Sequence, residues 1–184
     1  MVGERFAEVL ASAQSGDEAA FAVLWRDGNP ALLRYLRAMA PESAEDIASE
    51  TWVQVMRGLP KFRGDEPDWR AWLFTTARRR MLDQARQRRR HPAEPLDEVQ
   101  ASEEPRAVDT ALLAMENLAT ARAIALVRLL PKQQAEVILL RVVAGLDTEQ
   151  VASLVGCSPG AVRVAAHRGL RKLATLLEEA GVTL

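Results

Sequence analysis

The stretch HPAEPLDEVQASEEPRAVD, residues 91–109, carries three prolines and an acidic excess with no sustained apolar period. Each proline removes a backbone donor and disfavours helix at the residue before it, so the segment reads as a linker. The chain is thereby confined to two small domains, residues 1–91 and 109–184, joined by an acidic tether over 92–108. Each is small for independent folding, although helical domains of this size exist. Both halves are rich in Ala, Leu, Arg and Glu, lack β-branched alternation, and repeat apolar residues at helical spacing. The expected fold class is all-α: two small helical domains on a flexible acidic linker.

Composition excludes several function classes. The single cysteine, Cys157, allows no intramolecular disulfide and no Cys/His metal cluster. No apolar run approaches the roughly 18 residues of a membrane span, and MVGERFAEVL lacks the basic head of a signal peptide. These features predict a cytoplasmic protein without membrane insertion. A net charge of −1 would argue against nucleic acid, but the charge is sorted along the chain. Residues 61–91 hold ten basic against four acidic side chains, and residues 158–173 hold four basic and no acidic ones. The acidic residues concentrate in 1–60 and 92–120. A basic block attracts a polyanion locally whatever the total, because salt screens charges beyond about 8–10 Å.

Three segments carry further information. In Ala44–Arg57, the residues Ile47, Ala48, Thr51, Trp52, Val55 and Met56 follow the spacing of a buried stripe. Glu45, Asp46, Ser49, Glu50 and Gln54 fall on the other side, as a solvated acidic face or a contact surface. In DWRAWLFTTARRRMLDQARQRRR (68–90), Leu73, Phe74, Ala77, Met81 and Ala85 form the core stripe, and Arg79, Asp83, Arg86 and Arg90 oppose it. Trp72 falls on the basic side and Trp69 at its edge. Indoles gain most from burial, so two beside arginines need a partner. Either they pack under a neighbouring loop such as LPKFRGDEP (59–67), or they stack on unpaired bases whose phosphates the arginines hold.

The third segment reads as a helix-turn-helix. Asp147 and Gln150 can form a capping box, the short helix 148–155 runs into Gly156, and Ser158 with Pro159 opens a second helix. Ala152, Gly156 and Val162 have the small, turn-glycine and wedge spacing of that motif. On the second helix Val162, Ala166, Gly169, Leu170, Leu173, Leu176 and Leu177 share one face. Gly160, Val164, His167, Arg168 and Arg171 share the other, flanked by Arg163 and Lys172. Such a helix can enter a major groove; a helical hairpin with a basic outer face is the plain alternative. Cys157 reads as a small buried packing residue. Neither His91 nor His167 stands with a nucleophile or metal-ligand set, and no phosphate-cradling loop or nucleophile elbow is present. These features predict a protein that is not an enzyme and needs no cofactor or metal.

With these segments in order, the chain resembles a bacterial RNA polymerase sigma factor of the extracytoplasmic-function (ECF) type. GDEAAFAVLW and LLRYLRAM are similar to the opening helices of region 2, AEDIASETWVQVMRGLPKF to the polymerase-docking helix, and FRGDEPDWRAWLFTTARRRMLDQARQRRR to the promoter-melting segment. LLPKQQAEVILLRVVAGLDTEQVASLVGCSPGAVRVAAHRGLRKL is similar to region 4. The resemblance implies that Asp46, Glu50 and Gln54 meet the β′ clamp helices of core polymerase. It implies that Arg63, Trp69, Trp72, Arg79, Asp83 and Arg86 serve −10 recognition and melting, capturing the non-template strand. It implies that Ser158, Ala161, Arg163, Val164, His167, Arg168, Arg171 and Lys172 read duplex DNA at the −35 element, near the β flap. The tether matches the segment that family members thread toward the active centre. An anti-sigma factor is a common further partner in the family. Three positions depart from the family pattern: Arg79 stands where Asn is frequent, Ala161 where Thr is usual, and the loop after Phe62 is one residue longer.

Two other readings use less of the chain. A free-standing helix-turn-helix regulator would explain 148–173 and leave 44–90 idle; an RNA-binding or scaffolding helical protein would use only the basic helix.

Overall fold

The computed structural model describes residues 2–90 and 110–179, with backbone alone over 110–118. The tether expected over 92–108 and His91 lie outside the described residues. Eight α-helices and no strands are found among the described residues: Phe6–Gln14 (α1), Glu18–Met39 (α2), Ala44–Gly58 (α3), Glu66–Arg90 (α4), Thr110–Arg128 (α5), Lys132–Ile138 (α6), Thr148–Val155 (α7) and Pro159–Glu179 (α8).

Local chemistry sets several of these ends. The Asp17 carboxylate accepts from the N–H groups of Ala19 (2.8 Å) and Ala20 (3.3 Å), capping the donors that open α2. The loop between α1 and α2 turns at Gly16, whose φ of 96° is open to glycine at little cost. By contrast, α2 continues through Gly28, Asn29 and Pro30, three poor helix formers. Tertiary contacts account for this. A Cβ at Gly28 would stand 3.0 Å from Leu73 and 3.2 Å from Trp52, so the glycine admits close packing. Asn29 Oδ1 accepts the Trp52 indole N–H at 2.9 Å.

The first four helices pack around Leu24, Leu32, Tyr35, Leu36, Ile47, Val55, Leu73 and Phe74, each 1 % exposed or less. Burying one such leucine is worth about 1.5–3 kcal/mol, so this core accounts for much of the stability of the first half. In the second half, α6 and α7 pack on α8 around Val137, Leu140, Val151 and Val162. The chain between α6 and α7 closes in a wider turn over Leu139–Val143, where Ala144 N–H bonds the carbonyl of Leu139 at 3.0 Å.

The two halves do not stand apart. A single hydrophobic cluster runs from Phe6 through Met81 and on through Val137 to Val162. Its junction is the face of α2 and α4 that receives α5, α6, the 139–143 turn and α7.

Candidate polymerase and promoter interface

On α3, the stripe Ile47, Ala48, Thr51, Trp52 and Val55 is buried, and the Thr51 hydroxyl donates to the carbonyl of Ile47 at 2.6 Å. Asp46 and Glu50 are exposed on the opposite face and Gln54 is half-buried. Met56, expected on the stripe, is 55 % exposed. Val55 and Leu59 take the core at i and i+4, which leaves Met56 at the rim of an apolar groove it lines with Phe21, Leu59 and Pro60.

On α4, Leu73, Phe74, Ala77 and Met81 are buried as the wheel requires. Ala85, expected to continue that stripe, is exposed; Met81 is the last buried residue of α4. Trp69 lies at the edge of the basic side on the wheel, yet it is 2 % exposed. Phe6 of α1 (ring centroids 6.4 Å) and Phe62 of the preceding loop (5.7 Å) close over it. Trp72 is half-buried: it stacks on Phe62 at 5.1 Å with 19° between planes and meets Trp69 edge-on at 5.5 Å. The loop that carries Phe62 is pinned by Gln14, whose amide donates to the carbonyls of Leu59 (2.9 Å) and Phe62 (2.8 Å). Exposed Arg63 adds bonds to the carbonyls of Pro60 (3.1 Å) and Phe62 (2.6 Å). Both tryptophans thus pack against the loop, and only Trp72 keeps a face toward solvent.

That face opens on a groove of about 320 Å³ lined by Gln54, Trp72, Thr76, Arg79, Arg80 and Asp83. It joins residues assigned from sequence to two separate surfaces. Glu50 on α3 pairs with Arg80 on α4 at 3.7 Å, so the acidic and basic faces share a border. Arg86 is spoken for by Asp83 at 3.2 Å, an exposed pair of small energetic weight. Sequence reasoning missed Thr76 and Arg80; their i+4 and i+8 spacing from Trp72 carried the signal.

The helix-turn-helix forms as its caps require. Asp147 Oδ1 accepts from Gln150 N–H at 2.7 Å and the Gln150 side chain accepts from Asp147 N–H at 3.0 Å, closing the capping box. Gly156 turns at φ 78°, Ser158 Oγ accepts from Ala161 N–H at 3.2 Å, and Val162 is buried against α7 beside Ala152. Cys157 is half-buried against the core. Arg163, Val164, His167, Arg168, Arg171 and Lys172 are all exposed, with Ser158 exposed and Ala161 half-buried at the N-terminus of α8. Glu149 of α7 stands 3.7 Å from Arg163, placing one acid beside the basic face. Leu170, expected on the buried face, is 52 % exposed. The crossing point is its neighbour Gly169, where a Cβ would lie 2.5 Å from Ile138 Cδ1; the tight approach there turns residue 170 outward.

At the junction of the halves lies a polar cluster that no periodicity in the sequence revealed. Glu136 of α6, 6 % exposed, accepts through one oxygen, Oε1, from the Tyr35 hydroxyl at 3.1 Å and from Arg78 Nε at 2.7 Å. Burial first, and then the Glu136 carboxylate, hold the Tyr35 phenol well above its ordinary pKa, so it stays a donor. Among the described residues no helix is long and apolar enough to cross a membrane.

Family models of sigma-70 region 2 and sigma-70 region 4 match residues 24–91 and 120–173. The chain is 34 % identical to the ECF RNA polymerase sigma factor SigD of Mycobacterium tuberculosis, over 98 % of this chain and 88 % of that one. It is also 34 % identical to ShbA of Streptomyces griseus, over 91 % of this chain and 92 % of that one. Among solved structures it is similar to CnrH in complex with the cytosolic domain of CnrY, with a TM-score of 0.64, 25 % identity and coverage of 96 % and 99 %. The fold is also that of the sigma factor RpoE of Bartonella quintana in its co-crystal with the anti-sigma factor NepR, with a TM-score of 0.61, 21 % identity and coverage of 86 % and 96 %. Two matched regions in this order, on a pinned aromatic groove and a capped helix-turn-helix, establish that the chain belongs to the ECF RNA polymerase sigma factors, which bring core polymerase to specific promoters for transcription initiation.

Proposed function

We propose that this sigma factor divides its work between residues 1–91, which bind core polymerase and trap the melted −10 element, and residues 109–184, which dock on the −35 duplex, with 92–108 as the tether. Its mechanism is binding and strand capture in the cytoplasm, with bond-making left to the polymerase. The observation that carries the reading is the shared border of α3 and α4. Asp46, Glu50 and Gln54 offer an acidic surface suited to the β′ clamp helices. The adjoining groove offers Trp72 as a stacking face and Arg79 as a phosphate partner. Extracting a base costs a few kcal/mol, which stacking of about 1–3 kcal/mol per base can offset. Trp69, buried behind Trp72, acts by holding that ring in place. Arg63 holds the loop and keeps an exposed position at its edge.

On α8, the basic residues from Arg163 to Lys172 supply phosphate contacts, and Val164 and His167 face the base edges; this end of the chain also approaches the β flap. A partner of the anti-sigma kind, as NepR is to RpoE, is proposed for this chain too. The deciding experiment adds the protein to sigma-free core polymerase and measures promoter-specific transcription. Trp72→Ala should lower open-complex formation by about tenfold or more while core binding holds; normal melting by that variant would overturn the assignment.

A further inference from the structure

Resting on that reading, we propose that Tyr35, Arg78 and Glu136 form a latch that keeps the free chain closed and must release before both promoter elements can be engaged. The latch joins the two matched regions across 101 and 58 residues of sequence. It sits inside an apolar junction: the Tyr35 and Phe74 rings meet edge to face at 5.5 Å, and Ala31, Phe74, Val143 and Ala144 line the seam beside it. A second close approach lies along the same seam. Arg70 of α4, paired with Glu66 at 2.7 Å, rests against Gly145, where a Cβ would come within 3.0 Å of its guanidinium.

Geometry requires the release. Elements named −10 and −35 lie about 25 base pairs apart, or about 85 Å of duplex at about 3.4 Å per pair. A compact chain of 184 residues has a radius of gyration of about 16 Å, hence a diameter of roughly 40 Å. With the latch closed, α4 and α8 therefore cannot serve both elements at once. The 19 residues 91–109 have a contour length of about 65 Å, so the chain permits the separation once the seam opens.

The chemistry of the latch suits a reversible contact. An ion pair between buried Glu136 and half-buried Arg78 gains little net stability over apolar residues of the same volume, because both ions recover water when the seam parts. Losing one partner alone strands the other in the seam. An apolar seam in its place would close as well or better and would open less readily. Glu136 thus fixes the register of the closed form and keeps its opening accessible.

The test is small-angle scattering of the free full-length chain, with circular dichroism to follow helix content. Arg78→Gln and, separately, Glu136→Gln should raise the radius of gyration by about a quarter or more with helix content unchanged. The triple variant Tyr35→Phe, Arg78→Met, Glu136→Leu should return it to the compact value and slow assembly with core polymerase several-fold. A radius unchanged in both single variants, loss of helix in both, or a compact triple variant that assembles and transcribes like wild type would overturn the latch. Failure of every variant, and of wild type, to bind core polymerase would count against the functional reading instead, since the scattering result is read without polymerase.

Discussion

The hydroxyl of Tyr35 donates to Glu136 Oε1 at 3.1 Å, joining α2 to α6 across 101 residues of sequence. Tyr35 is the only tyrosine in the chain and is fully buried, so its ionisation can be followed without interference. Burial and the neighbouring carboxylate favour the neutral phenol, and the folded pKa is raised. In the unfolded chain the phenol loses its proton near pH 10, about where free tyrosine does. Above that pH the folded state binds more protons than the unfolded state, so stability falls as pH rises; below it the contribution is complete. Denaturant midpoints should therefore drop from about pH 9 to about pH 11 more steeply in wild type than in Tyr35→Phe. Tyrosinate absorbance should appear late and together with unfolding. Equal slopes in the two proteins would show that Tyr35 is not the titrating group.

Gly58, at the end of α3, is the floor beneath Trp72: a Cβ there would stand 2.7 Å from Cζ2 of the indole. Gly58→Ala gains helix propensity of about 1 kcal/mol in an exposed helix, but here the ring must move off Phe62. We expect a net loss of about 1–2 kcal/mol, the usual cost of overpacking, and a matching fall in promoter melting. Thermal denaturation and a permanganate footprint of the melted strand would check the two effects. A more stable protein with normal melting would mean that the Trp72 ring yields freely.

The exposed cations of α8 should act through phosphate. Arg168→Ala and Arg171→Ala are each expected to weaken −35 duplex binding and to reduce the salt slope of log K by about one. Binding of the holoenzyme to a −35 duplex, measured over a series of salt concentrations, gives both numbers. An unchanged slope with weaker binding would place that arginine on a base edge instead.

How much of this was legible in the sequence depended on the range of the forces involved. The helix-turn-helix was legible in full outline because its determinants are local. Asp147 and Gln150 cap each other, Gly156 takes a left-handed turn, and Ser158 caps the next helix, all within twelve residues. The core stripes of α3 and α4 were legible from periodicity alone, which locates the buried face as long as a neighbour covers it. Met56 and Ala85 depart from that pattern: Val55 and Leu59 take the core beside Met56, and burial along α4 stops at Met81. The break expected from proline and acid over 91–109 lies outside the described residues.

Helices, caps, the turn and the sorting of charge were readable before folding, since each follows from residues within a few positions of one another. Tertiary structure alone decided that Trp69 is buried while Trp72 keeps an open face, because Phe6 and Phe62 arrive from distant segments. It alone carried α2 through Gly28, Asn29 and Pro30, where Trp52 and Leu73 offset a poor helical sequence. It also closed the two halves on Glu136, whose partners are 101 and 58 residues away. Hydrogen bonds and ring contacts act over a few ångströms of space with no regard to separation along the chain, so only the folded molecule shows which groups they join.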